Sequence, residues 1–185
     1  MGAPKSPRIL VLPGLGGSGP DHWQTRWEAR YPRHQRVVQR DWDCPDRELW
    51  LEALAAAVEN AAEPVALVAH SLGCALVAHA ATRPLAAHVR AALLVAPADV
   101  DSGSCTPPET RVFAPMPLSP LPFAATVVAS RTDPYVTFAR AQAFAAAWGA
   151  DLVDAGPRGH LNADSGLGDW PEGHAILEAL LARAG

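Results

Sequence analysis

The sequence predicts a three-layer α/β fold, in which a doubly wound, mostly parallel sheet of about six strands carries helices on both faces. Short apolar runs alternate with longer helical patterns along the chain. The apolar runs lack the polar alternation of a sheet with one face in water, so they indicate strands buried on both faces. With 185 residues, 49% of them hydrophobic, we expect one domain over residues 1–185 with a substantial core.

The first half of the chain predicts two strands and two helices in alternation. Residues 8–12 form an apolar run that a Pro-Gly pair ends, which indicates a buried strand. Residues 21–31 place three aromatic rings on one face of a helix. Residues 36–39 predict a weaker strand, and residues 46–62 predict a long helix with an aspartate at its cap position.

The second half continues the alternation, and one proline-rich excursion interrupts it at 97–122. The elements predicted there are strand 65–69, helix 71–82, strand 91–96, strand 125–130, helix 135–148, strand 151–154 and helix 172–183. In sheets of this kind, ligands bind beyond the carboxyl ends of the strands. We therefore expect the chemistry directly after strands.

Composition and charge exclude several classes of function. The net charge is −4 and no Lys/Arg-rich run is present, which argues against a nucleic-acid partner. No run of 18 apolar residues predicts a membrane span. Cys44, Cys74 and Cys105 are widely spaced and form no Cys-x-x-Cys pair, so we expect free thiols in a reducing cytoplasm. Residues 1–6 match a short myristoylation pattern, which we discount because such patterns recur by chance.

A candidate nucleophile follows the third predicted strand, where residues 69–74 read AHSLGC. A serine at a sharp turn between a strand and a helix, flanked by small residues, is typical of the nucleophile elbow G-x-S-x-G. Ala69 stands where the first glycine is usual and adds one methyl group. Taken alone, Ser71 could equally be the cap of the helix that follows.

Candidate partners for Ser71 follow later strands in a meaningful order. Asp133 comes after the fifth predicted strand and His160 after the sixth. The order Ser, Asp, His is that of the α/β-hydrolase triad. Asp99, after the fourth strand, is the rival for the acid. His174, the other histidine beyond Asp133, is expected to face solvent on the last helix.

The glycine loop at 14–19 admits two interpretations. Gly14, Gly16 and Gly19 fit the dinucleotide fingerprint G-x-G-x-x-G, and Asp41 lies where a ribose-binding acid would be expected. The same turn can form an oxyanion loop, whose backbone N–H groups approach a substrate oxygen. A proline directly after Gly19 predicts a helix that starts beyond all three glycines, which favours the oxyanion loop.

With these residues, the chain resembles the small serine hydrolases of the retinoblastoma-binding-protein-9 and YdeN type, within the α/β-hydrolase superfamily. The resemblance covers nearly the whole chain and rests on PGLGGSGPDHW at 13–23, AHSLGC at 69–74, SRTDPYV at 130–136 and GHLNADSGLGDWPEG at 159–173. It implies a compact hydrolase domain without a large lid. The family's catalytic serine, aspartate and histidine correspond to Ser71, Asp133 and His160.

We therefore expect a serine hydrolase that cleaves small carboxylic esters or related acyl compounds through an acyl-enzyme, without metal or organic cofactor. Ser71 attacks, His160 moves the proton, and Asp133 orients the histidine. The backbone N–H groups of Leu72 and Leu15 are expected to hold the oxyanion. The expected partner is a small-molecule ester, and a protein partner stays open.

For the substrate pocket we expect contributions from Gly14, His70, Phe113, Leu118 and Trp170. Phe113 and Leu118 belong to the proline-rich excursion, which would either wall the acyl pocket or be an ordinary surface loop. Trp170 is also expected to anchor the far end of the loop that carries His160. Two alternatives remain, a non-catalytic binding protein on a hydrolase fold and a dinucleotide-binding enzyme that uses the glycine loop.

Overall fold

A single parallel sheet forms the centre of the molecule. The computed structural model describes residues 7–184, so the short pattern at 1–6 lies outside the described residues. The strands are Arg8–Leu12 (β1), His34–Arg36 (β2), Val65–His70 (β3), Val89–Val95 (β4), Ala124–Ala129 (β5) and Asp151–Asp154 (β6). Their order across the sheet is β2-β1-β3-β4-β5-β6, and each neighbouring pair is parallel.

Helices cover both faces of the sheet. They are Trp23–Arg30 (α1), Arg47–Glu59 (α2), Leu72–Ala80 (α3), Phe138–Trp148 (α4) and Pro171–Arg183 (α5). One buried cluster joins α2, α3 and α4 to one face, and a second joins α1 and α5 to the other. The predicted three-layer, doubly wound architecture is therefore confirmed. Within the described part of the chain, no helix is both long enough and apolar enough to cross a membrane.

Side-chain caps fix where two of the helices begin. The Asp46 carboxylate accepts a hydrogen bond from the Leu49 N–H (3.0 Å), so α2 begins where the sequence predicts. The Thr137 hydroxyl accepts one from the Arg140 N–H (3.2 Å), and α4 begins at Phe138 rather than at 135. The residues before Thr137 form turns and bends and belong to the loop at the sheet edge.

The second strand lies two residues earlier than predicted. It runs from His34 to Arg36, and only the Val37 N–H continues the pairing, with a bond to the Val11 carbonyl (3.0 Å). Val38 is 71% exposed. Since β2 is an edge strand, its neighbours bury only part of it, and apolar residues mark its position poorly.

The excursion at 97–122 is an ordered segment, and the Arg111 side chain makes the most hydrogen bonds within it. It contains a short 3-10 helix, Pro108–Phe113. The Arg111 guanidinium donates to the carbonyls of Val100 (3.2 Å) and Ser102 (2.6 Å) and to the Thr106 hydroxyl (2.6 Å). These bonds fold the segment on itself, and Arg140 on α4 joins it to the rest of the protein through Asp99 (3.2 Å) and Asp101 (2.8 Å).

Candidate active site

Ser71 occupies a strained turn between β3 and α3. Its φ is 55° and its ψ is −119°, in a region that L residues rarely adopt. Small neighbours make the turn possible. A Cβ at Gly73 would collide with the Leu12 carbonyl and lie 3.0 Å from the Pro13 oxygen, and a Cβ at Gly14 would lie 2.9 Å from that of Ser71. This is the geometry of a nucleophile elbow.

Ser71, His160 and Asp133 lie in hydrogen-bond contact. The Ser71 Oγ is 2.8 Å from His160 Nε2, and His160 Nδ1 is 2.9 Å from each Asp133 carboxylate oxygen. The Asp133 side chain is fully buried and that of His160 nearly so. The Tyr135 N–H donates to Asp133 Oδ1 (2.9 Å) and fixes its orientation. The arrangement can pass a proton from a serine hydroxyl to an imidazole that a carboxylate holds in place.

The backbone around His160 is tied to both of its partners' loops. On the acid side, the Gly159 N–H donates to the Thr132 hydroxyl (3.0 Å). On the nucleophile side, the His70 Nε2–H donates to the His160 carbonyl (2.9 Å). The Trp23 indole donates to the next carbonyl, that of Leu161 (2.8 Å). The base is therefore held by side chains from β3, α1 and the acid loop.

His70 and His22 form a buried row with His160. Ring centroids are 4.7 Å apart for His22 and His70, and 4.8 Å apart for His70 and His160. Burial, together with the neighbouring imidazoles, holds the pKa of His70 well below its ordinary value. Burial and Arg36 lower the pKa of His22 to about 4. His70 and His22 are therefore neutral near pH 7.

Two backbone amides suit the oxyanion role that the sequence predicts. Leu72 is the first residue of α3, and Leu15 lines the cavity in front of Ser71. Among the described residues, neither amide donates a hydrogen bond to another protein group. A Cβ at Gly14 would lie 3.1 Å from the Leu72 nitrogen, so only glycine leaves this amide clear. The geometry can accept an oxyanion between the glycine loop and the helix start.

A cavity of about 270 Å³, named here the inner cavity, opens in front of Ser71. Of the pocket residues predicted from the sequence, Gly14 and His70 line it. Phe113, Leu118 and Trp170 lie elsewhere, so that part of the prediction was wrong. Phe113 is fully buried against Trp50, with ring centroids 5.6 Å apart.

Leu118 and Trp170 do not line the inner cavity either, the first because it is exposed and the second because it is buried elsewhere. Leu118 is 48% exposed on the surface. Trp170 is buried on the other face of the sheet, where its ring lies 5.0 Å from Trp23. The excursion does wall the cavity, as one of the two interpretations had it, but through Ala98, Thr106, Pro107 and Thr110.

Comparisons with known proteins show the family and the fold. The sequence model of the serine hydrolase family matches residues 9–179, nearly the whole chain. The chain belongs to the serine hydrolase family. A YdeN-like hydrolase from Pectobacterium atrosepticum has a similar solved structure, with 33% sequence identity, a TM-score of 0.87, and coverage of 97% of this chain and 93% of that one. The resemblance drawn from the sequence motifs is thus confirmed.

More distant structures share the fold of this serine hydrolase. The ydeN gene product of B. subtilis is 18% identical, with a TM-score of 0.73 and coverage of 95% of this chain and 99% of that one. Est1E from Butyrivibrio proteoclasticus is 14% identical, with a TM-score of 0.67 and coverage of 96% and 86%. The comparison with curated proteins gave no match.

The rival acid of the serine hydrolase, Asp99, is engaged elsewhere. Its Oδ2 pairs with the Arg140 Nε on α4 (3.2 Å), and its carbonyl accepts from Thr106 (3.0 Å). Asp99 therefore ties α4 to the excursion. The His174 prediction was wrong, because its ring stacks on Tyr31, with centroids 4.0 Å apart, instead of facing solvent.

The glycine loop of the serine hydrolase fits the dinucleotide fingerprint in sequence but not in structure. Helix α1 begins at Trp23, beyond all three glycines. Among the described residues, a Cβ at Gly19 would meet nothing within 4 Å, so this position has no close helix–strand packing of the kind that the third fingerprint glycine provides. Gly14 instead lies against Ser71. Among residues 7–184, no group of three or more His, Cys, Asp or Glu side chains could hold a metal ion.

Outside the excursion, sequence reasoning also missed Tyr135, His22 and Asn162 at the site. Tyr135 places its ring edge-on to His160, with centroids 4.5 Å apart, and also lines the inner cavity. His22 and Asn162 line the cavity as well. Each follows a carboxyl end of a strand, in the same loops as the glycines, Asp133 and His160, so the topological rule that found those residues could have found all three.

Proposed function

We propose that this serine hydrolase cleaves small carboxylic esters through a Ser71 acyl-enzyme. The observation that carries the proposal is the continuous contact from Ser71 Oγ through His160 to Asp133, at 2.8 and 2.9 Å. This is the arrangement that acyl transfer by a serine requires. Membership of the serine hydrolase family supports it. So does the glycine at position 14, because a Cβ there would lie too close to that of Ser71.

In the acylation step, Ser71 Oγ attacks the ester carbonyl carbon while its proton passes to His160 Nε2. The new C–O bond makes a tetrahedral oxyanion, which the amides of Leu72 and Leu15 stabilise. The bond to the leaving alcohol then breaks, and His160 returns the proton to the departing oxygen. Asp133 holds Nδ1 protonated and stabilises the imidazolium. A water molecule, activated by His160, repeats the sequence and releases the carboxylic acid.

Labelling with a fluorophosphonate, followed by mass spectrometry of the peptides, tests the proposal. We expect one adduct, on Ser71. Ser71→Ala should lower kcat for p-nitrophenyl acetate by on the order of a million-fold while circular dichroism stays unchanged. Activity within tenfold of the parent would exclude Ser71 as nucleophile. Absence of both adduct and turnover would favour a non-catalytic binding protein, and NADH binding with no adduct would revive the dinucleotide alternative.

A further inference from the structure

Two depressions meet at His160. The inner cavity holds about 270 Å³, and a second depression of about 800 Å³, named here the outer trough, lies beside it. Tyr135, His160 and Asn162 line both, whereas Ser71 lines only the inner cavity. A bound ester whose carbonyl carbon lies at Ser71 therefore has one substituent in the inner cavity and a path to the outer trough past His160.

The inner cavity is small and without ionic side chains. Among the described residues that line it, none is Asp, Glu, Lys or Arg. Its Thr106 and Thr110 hydroxyls already donate, to the Asp99 carbonyl (3.0 Å) and the Pro107 carbonyl (2.7 Å). At about 30 Å³ per water-sized group, 270 Å³ holds about nine non-hydrogen atoms, so an octanoyl group, with nine, fills the whole cavity and leaves no room for the departing oxygen or for water, whereas a butanoyl group, with five, leaves room for both. A charged group placed there would lose its hydration without an oppositely charged side chain to pair with.

The outer trough is wider and polar. Its wall includes the exposed charged side chains of Arg158, Asp164 and Glu172, and it adjoins solvent. A large or polar group can lie there and keep its hydration. The two depressions thus differ in both size and polarity.

The proton transfers decide which part of an ester lies on which side. In acylation, His160 gives its proton to the departing oxygen, so that oxygen must lie against His160 Nε2. The oxygen of the carbonyl is directed to the amides of Leu72 and Leu15. The acyl chain is then left to point away from His160, toward Ala98, Thr106 and Thr110.

We propose that the substrates are esters of short, uncharged acids with larger or polar alcohols, the acyl chain lying in the inner cavity and the alcohol in the outer trough. This inference rests on the proposed serine-esterase function. It predicts strict selection on the acyl side and broad tolerance on the alcohol side.

Two ester series measure the two sides separately. The first keeps p-nitrophenol and varies the acid through acetate, butanoate, octanoate and hemisuccinate. The second keeps acetate and compares p-nitrophenol with the larger 4-methylumbelliferone, a phenol of similar acidity. We expect kcat/KM to fall by about tenfold or more for octanoate and hemisuccinate relative to butanoate. The change of phenol should alter kcat/KM by less than about threefold.

Variants on each side should move one series and not the other. Thr110→Ala widens the inner cavity and should raise the octanoate/butanoate ratio of kcat/KM, whereas Ala98→Val narrows it and should lower the butanoate/acetate ratio. Glu172→Trp adds bulk to the outer trough and should lower only the ratio of the umbelliferyl to the p-nitrophenyl ester. Glu52→Trp, an equally exposed change on α2, serves as the matched control and should leave all three ratios unchanged.

Labelling of Ser71 separates the two ways in which the inference can fail. If Ser71 is labelled and p-nitrophenyl acetate is hydrolysed, but octanoate and hemisuccinate react as fast as butanoate, the assignment of the two sides is wrong and the esterase function stands. The same holds if Thr110→Ala changes the phenol series instead of the acyl series. If Ser71 is neither labelled nor active on any ester, both the function and this inference fall.

Discussion

The side chain of His70, the residue before Ser71, holds the backbone of His160 in place. His70 donates its Nε2–H to the His160 carbonyl at 2.9 Å, and its depressed pKa keeps the ring neutral with that nitrogen protonated. His70 is therefore a positioning residue. Its contact joins the end of β3, which carries Ser71, directly to the loop that carries the base.

Removing this donor should injure kcat more than substrate binding. His70→Leu leaves the His160 carbonyl without its partner, and a displacement of about 1 Å at a catalytic group can cost roughly a hundredfold in rate. We expect kcat for p-nitrophenyl acetate to fall by about ten- to a hundredfold with KM little changed. His70→Gln, whose amide N–H can reach the same carbonyl, should recover most of the loss.

Steady-state kinetics on the folded variants, checked by circular dichroism, measure both parameters. If His70→Leu and His70→Gln lose kcat equally, the donated hydrogen bond is not what positions the base. A rise in KM alone would instead assign His70 to substrate contact.

At the scale of the element, packing at its far end holds the loop at 159–173, which carries His160, in place. Trp170 is buried at its far end with φ of +41°, and its ring lies 5.0 Å from Trp23. A Cβ at Gly173 would collide with the Trp170 ring, so the start of α5 is shaped around it. Because the Trp23 indole also bonds the Leu161 carbonyl, Trp170 supports the base through Trp23.

Trp170→Ala should therefore lower kcat at a distance. Loss of the ring frees Trp23, and the resulting displacement of His160 should cost up to roughly a hundredfold in kcat. Burial of an aromatic ring is worth a few kcal/mol, so the variant should also melt earlier. Assays at low temperature, where the variant stays folded, separate the two effects.

Trp148→Ala is the matched control for this loop. Trp148 is equally buried but lies on α4, in the other hydrophobic cluster. It should lose comparable stability and keep kcat. A folded Trp170→Ala protein with full kcat would show that the ring is a packing residue only.

The sequence could predict that Ser71, Asp133 and His160 come together, because each one follows a recognisable strand. It could not predict the wall of the inner cavity. Phe113 is as apolar as any pocket residue, yet it packs on Trp50 beneath the excursion, while the polar Thr106 and Thr110 face the cavity. The Arg111 bonds decide that orientation, and a side-chain hub of this kind leaves no periodic signal.

At the scale of the whole molecule, buried histidines link stability to pH. Burial lowers the pKa of His22 and of His34 to about 4 each, with Arg36 adding to the first shift and His174 to the second. An unfolded histidine titrates near 6.5. Protonation therefore favours the unfolded chain, and the stability contributed by the neutral imidazoles is present in full above about pH 6.5.

We expect the free energy of unfolding to fall as the pH decreases from about 6.5 toward 4. Urea denaturation at steps between pH 7.5 and 4.5 measures this, above the range in which most carboxylates titrate. His34→Gln should make the dependence shallower, whereas His88→Gln, at an exposed position, should not. A free energy of unfolding that stays constant over this range would contradict the prediction.

The sequence could predict the class of sheet, parallel and covered by helices on both faces. Apolar runs without polar alternation that are separated by helices admit few other arrangements. Positions at the edge of the sheet were harder to predict. The predicted β2 was displaced by two residues because an edge strand is half covered, and His174 was assigned to solvent although Tyr31 stacks on it. In both cases tertiary packing determines the structure, and this packing cannot be predicted from periodicity or composition.

The separate origin of the catalytic groups and of the cavity wall bears on how this enzyme can evolve. Ser71, Asp133 and His160 follow the ends of strands, and the turn around Ser71 leaves no room for a Cβ at Gly14 or Gly73. The wall at 106–110 belongs instead to a segment outside the sheet, which Arg111 folds on itself. If the proposed function holds, mutations there should leave the contacts between Ser71, His160 and Asp133 in place, and single substitutions should give new acyl specificities. Directed evolution of a library confined to this segment should diversify selectivity while retaining turnover.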